Sequence, residues 1–270
     1  MATRADPSSR PPRHPEHDDV AAELRGWFTR PIPEIGLTVS EEWYGSLSVA
    51  AGWVEPRLIL TVDEEADVAR ALAEAQAAIG MRPLAIWVDD RARCARLDDA
   101  LRAAGAAPVK ATTHLALVGE LHAASGPDDL VVEDVTEDRL EAWARTKMIC
   151  FANSEVEPVP DALAAELAVR RPEMALARLQ LASLGAEAVG VLAFYDGDDQ
   201  LVFNLGTRVG HRRRGIAQEL LARWAAAGVA AGCRSLVINA DDPGRPRDLY
   251  RRIGFVDEVY WYQRYALAAP

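Results

Sequence analysis

The chain has 270 residues, few cysteines and no long apolar run. Its cysteines, Cys94, Cys150 and Cys233, are odd in number and scattered without a Cys-x-x-Cys spacing, which excludes a disulfide framework and a zinc knuckle. No run approaches the roughly 20 apolar residues that cross a bilayer, and the first residues contain no apolar stretch for secretion. We therefore expect a soluble, cytoplasmic protein in a reducing compartment, without a membrane partner.

The chain also lacks an excess of positive charge. Acidic residues number 41 against 30 Lys and Arg, so the formal net charge is −11. A protein that binds nucleic acid needs a basic face toward the phosphates, so the charge argues against that class of partner. The five histidines and the cysteines show no metal-ligand spacing, and we expect no metal ion.

Length and apolar content indicate two packed units. The chain exceeds one average domain, and 50% of its residues are hydrophobic. Residues 1–18 are rich in proline and charge, which predicts a disordered tail. We predict two folded domains, 19–125 and 128–270, and a short amphipathic helix, Asp19–Phe28, at the start of the first.

A short arginine-rich loop separates a predicted strand from a predicted helix. Residues Leu201–Val209 favour extended structure, and Ile216–Val229 show apolar residues at helical spacing. The first turn of such a helix has unpaired N–H donors and the positive end of the helix dipole, so the loop indicates an anion site. The loop residues are Arg212, Arg213, Arg214, Gly215, Ile216 and Ala217.

The order of strand, Arg-x-x-Gly-x-Ala loop and helix resembles the acetyl-coenzyme A loop of the GNAT acetyltransferase superfamily. Arg212, Gly215 and Ala217 stand at the three matching positions. The resemblance implies an α/β fold with a mixed α+β arrangement of helices and strands. It implies a mixed sheet with the order β-α-α-β-β-β-α-β-α-β-β in the C-terminal domain, preceded by a partial GNAT-like domain.

A second signature of this superfamily follows downstream. Leu249 and Tyr250 are followed by Gly254 and Phe255, where the glycine can end a short helix in the left-handed conformation. The resemblance implies that Tyr250 protonates the departing thiolate of acetyl-CoA, which is a cosubstrate. It assigns coenzyme contacts to Thr207, Arg208, Val209, Arg212, Arg213, Arg214, Gly215, Ile216, Ala217 and Asn239.

The first half of the chain reads as a degenerate copy of the second. Leu84–Asp90 matches Leu236–Asp242, and Leu101–Gly105 matches Tyr250–Gly254. The copy lacks the residues that the chemistry requires. Leu101 stands in place of the tyrosine, and the acidic segment Val62–Asp67 stands in place of the arginine loop. We expect the first domain to be noncatalytic.

The sequence does not identify the general base or the amine that accepts the acetyl group. Asn204 could position a water molecule, Glu155 could act as a remote base, and Asp196, Asp198 or Asp199 could line the entry. Pro243 stands where the superfamily usually has an asparagine. The leading hypothesis is an N-acetyltransferase that acts on a small-molecule or peptide amine by direct attack on the thioester. The alternative is an acyl-CoA-binding regulatory or sensor protein without turnover.

Overall fold

A computed structural model describes residues 19–24, 38–49, 56–80, 82–242 and 244–269. The predicted tail, 1–18, lies outside these residues. Of the predicted helix Asp19–Phe28, the described residues 19–24 are helical. None of the helices within the described ranges combines the length and the apolar character needed to cross a membrane.

The described residues of the first 117 positions form five strands and two longer helices. These elements are β1 (Thr38–Glu42), β2 (Gly45–Val49), β3 (Arg57–Leu60), α1 (Glu65–Ile79), β4 (Leu84–Val88), α2 (Arg91–Ala103) and β5 (Ala106–Leu117).

The rest of the described chain begins with β6 and ends with β11. Its elements are β6 (Leu130–Asp134), α3 (Leu140–Ala152), α4 (Pro160–Glu173), β7 (Ala177–Leu184), β8 (Glu187–Tyr195), β9 (Asp199–Thr207), α5 (Ile216–Ala231), β10 (Ser235–Asp242), α6 (Arg245–Ile253) and β11 (Phe255–Leu267). Two short 3-10 turns, Glu137–Arg139 and Val209–His211, precede α3 and follow β9.

The chain forms two compact units that interleave along the sequence. The first unit contains Glu16–His114, Ala240–Asp248 and Glu258–Pro270, and the second contains Leu115–Asn239 and Leu249–Asp257. The compact units therefore differ from the two consecutive ranges that the sequence predicts, because two C-terminal segments belong to the first unit.

The first unit has the strand order β1-β2-β3-β4-β11-β5. Helix α1 buries Val68, Leu72, Ala75 and Ile79, whose spacing of three or four residues places them on one helix face. These side chains pack with the apolar strand residues in one hydrophobic core.

The second unit has the strand order β10-β9-β8-β7-β6. Neighbouring strands are antiparallel except β9 and β10, which are parallel. On β8, Val191 and Ala193 belong to the core under α3 and α4, whereas Phe194 faces Trp224 of α5. Because successive strand residues point to opposite faces, α3 and α4 cover one face of this sheet and α5 the other.

One predicted feature of the fold is wrong. The sequence predicts two final strands, Val256–Tyr260 and Tyr262–Leu267, but the structure has the single 13-residue strand β11. The chain continues through Trp261 because the second half of β11 is paired, with Gln263–Leu267 antiparallel to Leu84–Val88 of β4. The predicted fold class itself is confirmed by the comparisons given below.

Candidate functional site

Strands β9 and β10 separate halfway along their length. Their parallel pairing runs from Ser235 beside Asp199 to Ile238 beside Val202. Strand β9 continues to Thr207, still paired with β8 on its other side. The last five residues of β9, 203–207, therefore form an edge that is not paired with β10.

A β-bulge explains where the strands separate. Ala193 of β8 lies opposite Asn204, and Phe194 lies opposite Val202, so Phe203 is an extra residue in β9. A bulge bends its strand and increases the local twist. The bend begins at the residue where pairing with β10 ends, which turns the rest of β9 away from β10.

Polar groups lie near the place where the pairing of β9 and β10 ends. The side chain of Asn204 is buried on β9, and Asn239 directly follows the last paired residue of β10. The hydroxyl oxygen of Thr207 is buried and has no hydrogen-bond partner in the described part of the chain. Buried hydroxyls are normally satisfied, so Thr207 offers a group that a ligand can satisfy.

The backbone after β9 folds into a cradle, residues 212–217. Arg213 has a φ of 65° and Gly215 a φ of 82°, both in the left-handed region. An ideal Cβ on Gly215 would lie 2.4 Å from the carbonyl oxygen of Ser125, so only glycine fits there. Left-handed residues within a turn direct successive N–H groups into one concave surface, which suits an anion.

The N–H groups of this segment are available. Among the described residues, the backbone amides of 213–218 have no acceptor within hydrogen-bonding distance. The 16-residue helix α5 begins at Ile216 and adds the positive end of its dipole. The helix begins at Ile216, where the apolar residues at helical spacing also begin in the sequence. Bare amides beside a helix N-terminus are the kind of groups that bind anions in proteins.

Arg212 stabilises the cradle instead of facing it with a free guanidinium. Its Nε donates to the carbonyl of Thr207 at 3.1 Å. Its Nη2 donates to the carbonyl of Cys150 at 3.1 Å and to Oδ1 of Asn153 at 2.7 Å. Arg212 therefore connects the loop to the end of α3, where Asn153 ends the helix at a left-handed φ of 51°.

The other arginines differ in their availability. The guanidinium of Arg208 donates to Glu155 at 2.8 Å, and that of Arg214 lies 3.1 Å from Nδ1 of His211. Arg213 is exposed, and it has no hydrogen-bonding or ionic partner among the described residues. Of the predicted cationic contacts, Arg213 has the guanidinium that is least engaged with the protein.

Glu155 is a poor candidate for a general base. Its Oε1 accepts from the backbone N–H of Gly210 at 3.0 Å, and its Oε2 accepts from Arg208. The Gly210 N–H first, and Arg208 second, hold the pKa of Glu155 below its ordinary value. A carboxylate with a lowered pKa binds a proton weakly, so Glu155 serves to hold the α3–α4 loop against the cradle.

The three aspartates proposed from the sequence lie at the wrong end of β9. Asp199 is fully buried and paired with Arg234 and with the hydroxyl of Ser235. Asp196 and Asp198 belong to the turn just before it, at the start of a strand whose eight residue steps to Thr207 span about 26 Å. They line a depression with Gln200 and with the end of α5. In the described ranges, no three potential metal ligands cluster.

Tyr250 lies on α6, within the second unit. Its side chain is only 7% exposed and meets Phe255 edge-on, with ring centroids 6.3 Å apart. Phe255 in turn stacks on Trp224 of α5. This aromatic row fixes the tyrosine relative to the helix whose first turn forms the cradle.

Helix α3 approaches β9 closely, which none of the sequence motifs above predicts. A Cβ on Gly206 would lie 2.8 Å from the Cβ of Cys150, so the glycine allows the helix to pack on the strand edge. A glycine inside a strand pattern was the available signal. Burial raises the pKa of the Cys150 thiol to about 12, so this thiol stays protonated at neutral pH.

The corresponding turn of the first unit, before α1, has the opposite charge. Asp63 accepts from Arg93 at 3.0 Å and from Arg96 at 3.0 Å. These arginines, with the Arg93 hydrogen bond as the main cause, hold the pKa of Asp63 below its ordinary value. Glu64 is the residue before the helix. The turn before α1 therefore carries the Asp63 carboxylate, whereas the turn before α5 carries backbone amides without acceptors.

Comparison with known proteins gives matches in structure alone. No family model matches the chain, and no curated protein sequence matches it. A GCN5-related N-acetyltransferase from Kribbella flavida aligns over 93% of this chain and 94% of its own, at 19% identity and a TM-score of 0.62. A GCN5-related N-acetyltransferase from Sphaerobacter thermophilus aligns over 85% of this chain and 75% of its own, at 18% identity and a TM-score of 0.56.

A third similar structure is a tandem GNAT protein from the clavulanic acid biosynthesis pathway. It aligns over 97% of this chain and 90% of its own, at 13% identity and a TM-score of 0.56. The similarity therefore extends across both halves of the chain.

Proposed function

The chain has the fold of the GCN5-related N-acetyltransferases in a tandem arrangement, and from this fold and its cradle we propose that the protein transfers an acetyl group from acetyl-CoA to an amine. The observation that carries the proposal is the edge of β9 after Val202, which is not paired with β10 and is followed in the chain by the bare amides of 213–218. The acceptor is a small-molecule or peptide amine.

The site fits a coenzyme A thioester at three points. The diphosphate suits the concave turn at Arg213 and Gly215, where a Cβ on the glycine would be excluded. The pantetheine arm suits the edge of β9 after Val202, which has no β10 partner along it. The unsatisfied hydroxyl of Thr207 gives this edge a further hydrogen-bonding group.

The proposed reaction is direct attack of the acceptor nitrogen on the thioester carbonyl carbon. The C–N bond forms, the C–S bond breaks, and coenzyme A leaves as the thiol. An amine with a pKa near 10 must first lose a proton, and Asn204 holds the water that carries it away. Tyr250 donates a proton to the leaving sulfur, and a backbone N–H at the end of β9 stabilises the oxyanion.

Direct attack is favoured over a covalent relay through Cys150. A cysteine relay needs a thiolate, and burial raises the pKa of Cys150 to about 12. A protonated thiol beside the strand edge is a packing group. The acetyl group is therefore proposed to pass in one step from sulfur to nitrogen.

Two measurements test the proposal. Titration calorimetry is expected to show coenzyme A binding, and release of free thiol is expected with at least one amine of a broad panel. Tyr250→Phe is expected to lower turnover and to leave coenzyme affinity unchanged. Tyr195→Phe is the matched control, because the Tyr195 hydroxyl donates to Glu173 at the end of α4. Absence of coenzyme binding would contradict the assignment.

A regulatory protein that binds acyl-CoA without turnover is the second candidate. Two observations favour it: Pro243 replaces the usual asparagine, and Glu155 has a lowered pKa. This candidate predicts coenzyme binding, no thiol release with any amine, and no effect of Tyr250→Phe in the thiol assay.

A further inference from the structure

Residues 118–126, which we call the strap, connect the ends of two helices that the proposed reaction uses. The N–H groups of Val118 and His122 donate to the carbonyls of Gly254 and Ile253, at the end of α6. Further along, the strap reaches the first turn of α5 and passes over the cradle glycine. The strap thus joins the helix of Tyr250 to the start of the cradle helix.

At α5 the strap bonds to side chains. The N–H of Ala124 donates to Oε1 of Gln218 at 2.5 Å, and the N–H of Gly126 donates to Oε2 of Glu219 at 3.3 Å. Glu219 also accepts from Arg223 at 2.8 Å. The Gly126 N–H and Arg223 keep Glu219 ionised, since Arg223 first and Gly126 second lower its pKa. Both side chains are therefore held toward the strap.

The position of Gln218 makes this contact consequential. Gly215 is the N-cap of α5, so Gln218 is the third helical residue. In the capping-box motif, a Gln or Glu at that position reaches back and accepts from the N–H of the N-cap residue. Here Oε1 of Gln218 accepts from Ala124 instead, and the N–H of Gly215 has no acceptor among the described residues.

We propose that the strap is a positioning element of the coenzyme site, which holds Gln218 away from the cradle so that the N–H of Gly215 stays available to the diphosphate. The inference rests on the proposed function and deepens it. Without the strap contact, Gln218 caps its own helix, and the diphosphate must displace that cap before it binds. Gln218 and Ala124 are positioning residues, since neither touches a reacting atom.

Removing the strap donor tests the proposal. Ala124→Pro deletes the N–H that holds Gln218 and is expected to weaken coenzyme A binding about three- to tenfold, the range of one hydrogen bond. Gln218→Ala alone is expected to bind within about twofold of the wild type, because the competing group is gone. The double variant is expected to regain the affinity of Gln218→Ala, which a merely structural defect would not allow.

Two further variants control for the backbone change. Ala123→Pro places a proline one residue earlier, where the N–H makes no hydrogen bond among the described residues, and is expected to leave affinity unchanged. Gly126→Ala moves the strap without a proline, because its Cβ would lie 2.9 Å from the Cβ of Glu219. It is expected to weaken binding as Ala124→Pro does, and again to be rescued by Gln218→Ala.

A readout without coenzyme separates this inference from the proposed function. Amide hydrogen exchange of Gly215, followed by NMR, is expected to slow in Ala124→Pro and to return to the wild-type rate when Gln218→Ala is added. If exchange behaves so and coenzyme A does not bind, the hold of the strap on Gln218 is supported and the proposed function fails. If Gln218→Ala rescues neither exchange nor affinity, the strap inference is overturned.

Discussion

Gly215 precedes α5 at a point where both backbone conformation and space exclude a side chain. Its φ is 82°, and an added Cβ would lie 2.4 Å from the carbonyl oxygen of Ser125. Gly215→Ala therefore adds two costs to the folded state. The left-handed conformation costs a non-glycine residue about 1–2 kcal/mol, and relief of the clash requires the strap or the cradle to move.

Gly232, at the other end of α5, separates these two costs. Its φ is 79°, and an added Cβ would meet no atom within 4 Å. Gly232→Ala is therefore expected to lower the free energy of unfolding by about 1–2 kcal/mol and to leave coenzyme A affinity unchanged. Gly215→Ala is expected to lose more stability than this and to lose at least about tenfold in affinity.

Urea unfolding gives the two stabilities, and titration calorimetry gives the affinities. Equal losses of stability in the two variants, together with unchanged coenzyme affinity in Gly215→Ala, would refute both the contact with Ser125 and the role of the cradle.

Three further predictions concern individual side chains. Arg212→Ala is expected to destabilise the protein by about 1 kcal/mol through its three lost hydrogen bonds, whereas Arg213→Ala leaves urea stability unchanged and weakens coenzyme A binding. Tyr250→Phe is expected to lower kcat about 100-fold, with coenzyme affinity within twofold of the wild type in calorimetry. Because folding lowers the pKa of Glu155, its carboxylate stabilises the fold fully at any pH above the ordinary pKa of about 4.3. This stabilisation is lost as the pH falls through the lowered pKa. Wild type is therefore expected to lose stability more steeply than Glu155→Gln between about pH 5 and 3, and parallel urea curves would contradict this.

The sequence predicts most of the secondary structure because its signals are local. Residue composition and apolar spacing give β9 and α5 within a few residues of their observed ends. The final hairpin is wrong because two adjoining apolar runs look alike whether the chain turns or continues between them. Only the pairing partners of β11 decide this, and those partners are distant in sequence.

The site is predictable in its main chain and not in its side chains. The Arg-x-x-Gly-x-Ala pattern indicates the cradle, and the left-handed Gly215 agrees with that pattern. The pattern cannot show that Arg212 is directed to Cys150 and Asn153, because those contacts span about 60 residues of sequence. The role of the strap, around Ser125, is hidden for the same reason.

The most direct test is a crystal structure of the protein with bound coenzyme A. The account predicts diphosphate oxygens about 2.7–3.2 Å from backbone nitrogens within residues 213–218, with the pantetheine arm along the edge of β9. A diphosphate bound elsewhere, or held by arginine side chains alone with these nitrogens out of reach, would contradict it.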